Sequence, residues 1–162
     1  MEQHLQELIN KIPTGLLIGD TWREGFAGET FDVLNPATEE KLTTLASATP
    51  EDAIAALDAA CQVQDQWAHT PPRERAEILR QAYDLITDRS EEFATLMTLE
   101  MGKPLAESRG EVVYGAEFLR WFSEETVRDY GRYQPTPEGK NQILVKHKPV
   151  GPCLLITPWN FP

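Results

Sequence analysis

Apolar and polar positions alternate along this chain with three different textures. Met1 to Asn10 is short, amphipathic and acidic, which predicts a brief helix. Strand-like segments follow, to about Ala48. Gly15 to Trp22 is an apolar run closed by Gly-Asp, and Thr30–Leu34 and Lys41–Ala46 are short runs rich in Thr, Val and Leu. Asn35-Pro36 lies between the last two and marks a turn, because proline fixes its own φ and restricts the residue before it.

The middle of the chain changes to helical spacing. Thr49-Pro50-Glu51-Asp52 predicts a helix start, with Thr49 as cap, Pro50 in the first turn and acids beside the positive end of the dipole. Ile54, Leu57, Cys61 and Gln64 then recur at three and four, with Trp67 near the end. Thr70-Pro71 repeats the start signal. Ala76, Leu79, Ala82, Tyr83 and Ile86 form the next apolar face. A third helix from near Ser90 carries Phe93, Leu96 and Met97 and stops at Gly102, a left-handed cap ahead of Pro104. A fourth runs from near Pro104 to about Tyr130, with Gly131 as its stop and Val112, Ala116, Leu119 and Phe122 on its apolar face.

Strand character then returns. Tyr133–Asn141 reads as a loop, and Gln142–Lys148 alternates as an exposed strand or arm should. Pro149–Pro152 is a break. Cys153–Ile156 is a short continuous apolar run of the kind that forms a buried parallel strand. Such a strand needs neighbours on both sides, and only Thr157-Pro158-Trp159-Asn160-Phe161-Pro162 follows. The expectation is a sequence cut within a fold, with marginal stability as an isolated chain because apolar surface stays uncovered.

Composition narrows the function. The 162 residues suit one domain of ordinary size, and 41% hydrophobic with 25% charged side chains suits a globular protein. The net charge is −11, from 26 acidic and 15 basic side chains. That charge disfavours nucleic acid and an anionic membrane surface, both of which are bound through excess Lys and Arg. No apolar run reaches membrane-spanning length, and the amino terminus lacks the basic start and apolar core of a secretory signal. Cys61 and Cys153 fall on a helical stripe and a strand-like run, which suggests buried thiols in a reducing, cytoplasmic compartment rather than a disulfide. No Cys/His cluster has metal-ligand spacing, so no metal site is expected. His4, His69 and His147 are isolated in a tail, a loop start and a strand, with no partner pattern for catalysis. Met101-Gly102-Lys103-Pro104 lacks the spaced first glycine of a phosphate loop, and Lys103 instead suits a helix carboxyl end.

The closing hexapeptide carries the most chemistry. Two prolines stiffen a turn around Trp159 and Asn160 at the end of the expected strand, where ligands bind in α/β folds. An asparagine amide there can donate a hydrogen bond to a developing oxyanion, and Trp159 offers a flat apolar face with an indole donor. On chemistry alone, a plain structural turn with a buried tryptophan is the more economical reading.

A resemblance shifts that balance. The run Ile156–Pro162 (ITPWNFP) is similar to the strand-end signature of the aldehyde dehydrogenase superfamily. VLNPAT at Val33–Thr38, LMTLEMGKPLAES at Leu96–Ser108, EFLRWFSEE at Glu117–Glu125 and KPVGP at Lys148–Pro152 resemble further family segments in matching order. The resemblance covers nearly the whole chain, and within the superfamily it looks most like bacterial succinate-semialdehyde dehydrogenases.

The resemblance implies the amino-terminal part of that family's α/β fold. Residues 1–131 would belong to the Rossmann-like cofactor-binding domain with its helical layer. Residues 132–149 would form an oligomerisation arm, and residues 150–162 the first Rossmann-type strand and its turn. It implies that Asn160 is the oxyanion-hole asparagine and that Trp159 lies beside an NADP or NAD nicotinamide. Ile156, Thr157 and Pro158, with Trp159 and Asn160, would line the cofactor cleft, and Phe161 would face the aldehyde tunnel. Tyr114 and Phe118 could face that tunnel too, but aromatics at helical spacing more often pack into a core.

The implied reaction is oxidation of succinate semialdehyde to succinate, a step of 4-aminobutyrate degradation, in a homodimer or homotetramer. The family's nucleophilic cysteine, glutamate, glycine-rich segment and cofactor-binding lysine would all follow the PWNFP turn. Neither Cys61 nor Cys153 sits in a segment like that of the nucleophile. The isolated chain is therefore expected to be inactive. The alternatives are a non-catalytic interaction module derived from such an enzyme, or a dehydrogenase for another aldehyde.

Overall fold

The computed structural model describes residues 2–161, with side chains from Leu5 onward. The pairing of each short strand is local. Helix α1 spans Glu2–Ile9 and buries Leu8. Strands β1 (Leu16–Ile18) and β2 (Thr21–Arg23) form an antiparallel hairpin across Gly19-Asp20, so the single apolar run of the sequence folds back on itself. Gly19 takes φ +65° in that turn, a left-handed value that costs glycine nothing. Strands β3 (Thr30–Leu34) and β4 (Lys41–Ala46) keep the bounds their composition predicts and pair antiparallel, with a register shift between Val33 and Leu34.

Helix α2 (Pro50–His69) begins as its sequence predicts. The Thr49 hydroxyl accepts the Asp52 amide at 3.4 Å while the Asp52 carboxylate accepts the Thr49 amide at 2.9 Å, a reciprocal capping box. Asp52 does more than cap. The same carboxylate accepts the Phe26 amide at 2.9 Å and pairs with Arg23 at 2.8 Å, so one buried acid joins β2, the loop after it and the start of α2.

Thr70, expected to start the next helix, instead closes α2. Its hydroxyl donates to the Gln66 carbonyl at 3.0 Å and its amide to Trp67. Helix α3 (Pro72–Asp88) starts from Pro71 with no side-chain cap. Helix α4 (Ser90–Met101) ends at Gly102, which takes the expected left-handed cap at φ +77°. Helix α5 (Leu105–Glu125) stops short of Tyr130. The Thr126 hydroxyl bonds back to the Phe122 carbonyl at 2.6 Å, and a 3-10 turn (Thr126–Arg128) takes over.

The core lies where α5 packs along α3 and α4. Ala76, Ala94, Val112 and Ala116 are its small buried side chains, which let the three helices approach closely. Ser108 is fully buried and shares a hydrogen bond with Thr98 at 2.9 Å. At the rim, the Arg109 guanidinium grips both Glu91 oxygens at 2.8 Å and ties α5 to α4.

Gly131 is not a helix stop. It enters a third hairpin, β5 (Arg132–Pro135) with β6 (Gln142–Val145), so part of the expected loop is strand. A Cβ at Gly131 would meet the Val145 carbonyl oxygen at 2.3 Å, and its φ of +65° is left-handed. Strand β6 is exposed along its length, as its alternation predicts.

Cys153–Ile156 is not a strand. No strand lies beside it among the described residues, and a strand exists only through its ladder. Leu154, Leu155 and Ile156 are therefore exposed, and so is Cys153. Cys61 is exposed as well, because among the described residues no element is laid over the Ile54–Leu57–Cys61 face of α2. The expected buried thiols are corrected on both counts. No helix among the described residues is long and apolar enough to cross a membrane.

Candidate active site

The turn Pro158–Phe161 is closed by the Phe161 amide donating to the Pro158 carbonyl at 3.1 Å. It packs at the corner where α4 hands over to α5. Gly102 reverses the chain there, and Pro104 sets the start of α5, so Lys103 is held between two fixed points. The Lys103 side chain is only 9% exposed and pairs with Glu111, 10% exposed, one turn and a half into α5. From that position the Lys103 ammonium donates to the Asn160 backbone carbonyl at 2.9 Å, and the Phe161 ring centroid lies 4.4 Å from it. A backbone carbonyl, a carboxylate and an aromatic face together surround a charge that would otherwise be costly to bury.

Two clefts flank the turn. One, of about 520 Å³, is lined by Met101, Lys103, Glu107, Gly110, Glu111, Tyr114, Asn160 and Phe161. The other is bounded by Pro36, Met97, Glu100, Met101 and Trp159. Partial desolvation raises the Glu100 carboxyl above the ordinary carboxylate range. Phe161 also closes the end of an apolar trough between α3, α4 and α5 that includes Phe93, Leu96 and Val112.

The structure brings Asn160 and Phe161 to one cleft beside α5 and Trp159 to another that it shares with Pro36. The Asn160 side-chain amide has no hydrogen-bond partner among the described residues, so its donor is free. Trp159 is 85% exposed, which corrects the buried tryptophan of a plain structural turn. Ile156 is equally exposed, and Thr157 and Pro158 lie on the same open strip. Tyr114 and Phe118 are exposed too and meet edge to face at 5.1 Å, so the core reading of that pair is also corrected. Neither cysteine lines the Asn160 cleft.

Sequence reasoning missed Lys103 and Glu111. Lys103 was expected to serve a helix end, and nothing in the sequence singled out Glu111. The sequence does set Lys103 between Gly102 and Pro104, but it does not mark Glu111 as its partner.

A sequence model of the aldehyde dehydrogenase family matches residues 22–162. The chain belongs to the aldehyde dehydrogenase family. It is 81% identical over 121 residues to the succinate-semialdehyde dehydrogenase of Paenarthrobacter nicotinovorans, covering 75% of this chain and 27% of that one. It is 41% identical over 146 residues to succinate-semialdehyde dehydrogenase (NADP(+)) GabD of Escherichia coli K12, covering 90% and 30%. The crystal structure of succinate-semialdehyde dehydrogenase from Burkholderia pseudomallei superposes with a TM-score of 0.85 at 41% identity, over 90% of this chain and 30% of that one. The α/β arrangement described above is thus part of the aldehyde dehydrogenase fold. The chain spans under a third of the length of these relatives.

Proposed function

We propose that the chain forms the amino-terminal part of an NAD(P)-dependent aldehyde dehydrogenase that oxidises succinate semialdehyde to succinate. The observation that carries this reading is the Asn160 amide, unpartnered among the described residues on a turn whose carbonyl Lys103 holds at the corner between α4 and α5. An amide there can donate to an oxygen that gains negative charge as a nucleophile adds to the aldehyde carbon. The name of the relative at 81% identity supports succinate semialdehyde as the aldehyde.

A nicotinamide coenzyme, when bound, supplies the hydride acceptor. The residues present fit one wall of its site. Ile156, Thr157 and Pro158 offer open backbone, and Trp159 offers a flat apolar face that nothing in the described structure covers. Phe161, closing the apolar trough, would border the aldehyde. The nucleophile, the residue that activates water and the groups that grip the coenzyme phosphates would come from chain beyond these 162 residues. The isolated chain would then bind weakly and turn nothing over. The β5–β6 hairpin, exposed along β6, would serve as the arm that meets a second copy.

The test is an assay of the full-length protein carrying this chain, with succinate semialdehyde and with NADP and NAD in parallel. Reduced coenzyme formed with succinate semialdehyde in preference to other aldehydes is the expected result. Oxidation of a different aldehyde would move the substrate assignment. No oxidation of any aldehyde would reject the enzyme reading in favour of a binding module.

A further inference from the structure

We propose that Lys103 is a positioning residue for Asn160, holding the turn that aims the asparagine amide. This inference rests on the oxyanion role assigned to Asn160 above. An ammonium has three donor hydrogens and no acceptor. In this structure its surroundings are all accounted for: the Glu111 carboxylate, the Asn160 carbonyl oxygen at 2.9 Å, and the Phe161 ring at 4.4 Å. The carbonyl it holds belongs to the same residue whose side chain would donate to the oxyanion. Fixing that carbonyl fixes the peptide plane after Asn160 and so the direction from which its side chain departs.

The rest of the turn restrains Asn160 weakly. Among the described residues, the other hydrogen bond within it is the Phe161 amide to Pro158, and Thr157, Pro158, Trp159 and Asn160 are all exposed. By contrast, the Lys103–Glu111 pair is nearly buried and stands on the end of α4 and on α5. Glu111 supplies the opposite charge beside the Lys103 ammonium. Among the described residues Lys103 is its hydrogen-bond partner, and its second carboxylate oxygen, Oε1, is buried without one. The geometry therefore runs from a rigid corner, through one ammonium, to the catalytic turn. A misplacement on the order of 1 Å in such a group can cost about a hundredfold in rate.

The experiment uses the full-length protein and four variants: Lys103→Met, Lys103→Arg, Asn160→Ala and the double Lys103→Met/Asn160→Ala. Lys103→Met is expected to lower kcat about 10- to 100-fold with little change in the aldehyde KM, and Lys103→Arg to recover part of the loss. The decisive comparison is the double variant. If Lys103 acts through Asn160, removing it from the Asn160→Ala protein should change kcat less than about twofold. An equal loss in both backgrounds would show that Lys103 matters for folding or for another step, and would overturn the proposal. An unchanged kcat in Lys103→Met would overturn it as well.

Deuterium uptake of residues 157–161 supplies a readout independent of turnover. It should speed up in Lys103→Met while uptake across α4 and α5 stays as in the unsubstituted protein. Unchanged uptake in the turn would mean that the contact holds nothing. If the unsubstituted protein oxidises no aldehyde yet the turn loosens, the enzyme reading fails and the contact between Lys103 and the turn stands.

Discussion

The hydroxyls of Thr98 and Ser108 meet at 2.9 Å across the joint between α4 and α5, and Ser108 is wholly buried. Each satisfies the other in a part-buried joint where Ser108 itself has no access to water. Removing one partner strands the second. Thr98→Val should therefore destabilise the full-length protein by about 1–3 kcal/mol, whereas Thr98→Val with Ser108→Ala should recover much of that loss. Denaturant midpoints of the two single variants and the double variant measure it. Strictly additive losses would refute the pairing.

Gly102 bears on both the fold and the site. Its φ of +77° is one that a side chain resists, and a Cβ there would come within 3.1 Å of the Pro36 ring. Gly102→Ala should cost about 1–2 kcal/mol. The same change should displace Lys103, so activity in the full-length protein should fall by more than the loss of folded protein explains. Thermal melting and kcat measured on one preparation would separate the two effects.

Asn160 is the direct test of the site. Asn160→Ala should lower kcat about 10²- to 10³-fold, the usual consequence of losing one oxyanion donor, with little effect on the aldehyde KM. Asn160→Asp should do no better, because a carboxylate accepts where a donor is needed. Steady-state kinetics of folded variants decides it. A loss confined to KM would point to substrate binding instead.

Asp52 sets an acid limit on the amino-terminal segment. The Thr49 and Phe26 amides first, and then the Thr49 hydroxyl and Arg23, hold its carboxyl down at about 2 from an ordinary 3.8. A depressed pKa stabilises the folded state fully above the unfolded value. That contribution fades as pH falls from about 4 through about 2. Asp52→Asn should lower the melting temperature at neutral pH and flatten its decline across that window. An unchanged acid slope would show that other carboxylates dominate.

Much of the architecture was legible because it is local. Thr49-Pro50 and Gly102 announce helix ends through chemistry confined to a few residues, and β3 and β4 have the bounds their composition predicts. Thr70 misled because a threonine before proline suits a cap at either end of a helix, and here its hydroxyl turns back to Gln66. The face of Ile54, Leu57 and Cys61 misled differently. Periodicity reports that a face is apolar, not that anything nearby covers it. Cys153–Ile156 failed for the related reason that strand propensity is realised only against a neighbour. At the site, the residues of the turn were legible from their motif. Lys103 and Glu111 were not, since their meeting depends on how α5 leaves the corner.

The bond from the Phe26 amide to Asp52 closes a span of 26 residues. Closing such a loop costs entropy that grows with its length. Most of that span is the β3–β4 hairpin, whose strands return Thr30 to the side of Ala46. Once the hairpin zips, the loop left to close is only a few residues on each side, and Ser47 already bonds to Glu29 across its open end at 2.8 Å. The hairpin is thus a kinetic shortcut. With it formed, Asp52 has a shorter loop to close, so folding is expected to run fastest when the pair of strands forms before the first turn of α2 is tied to Phe26.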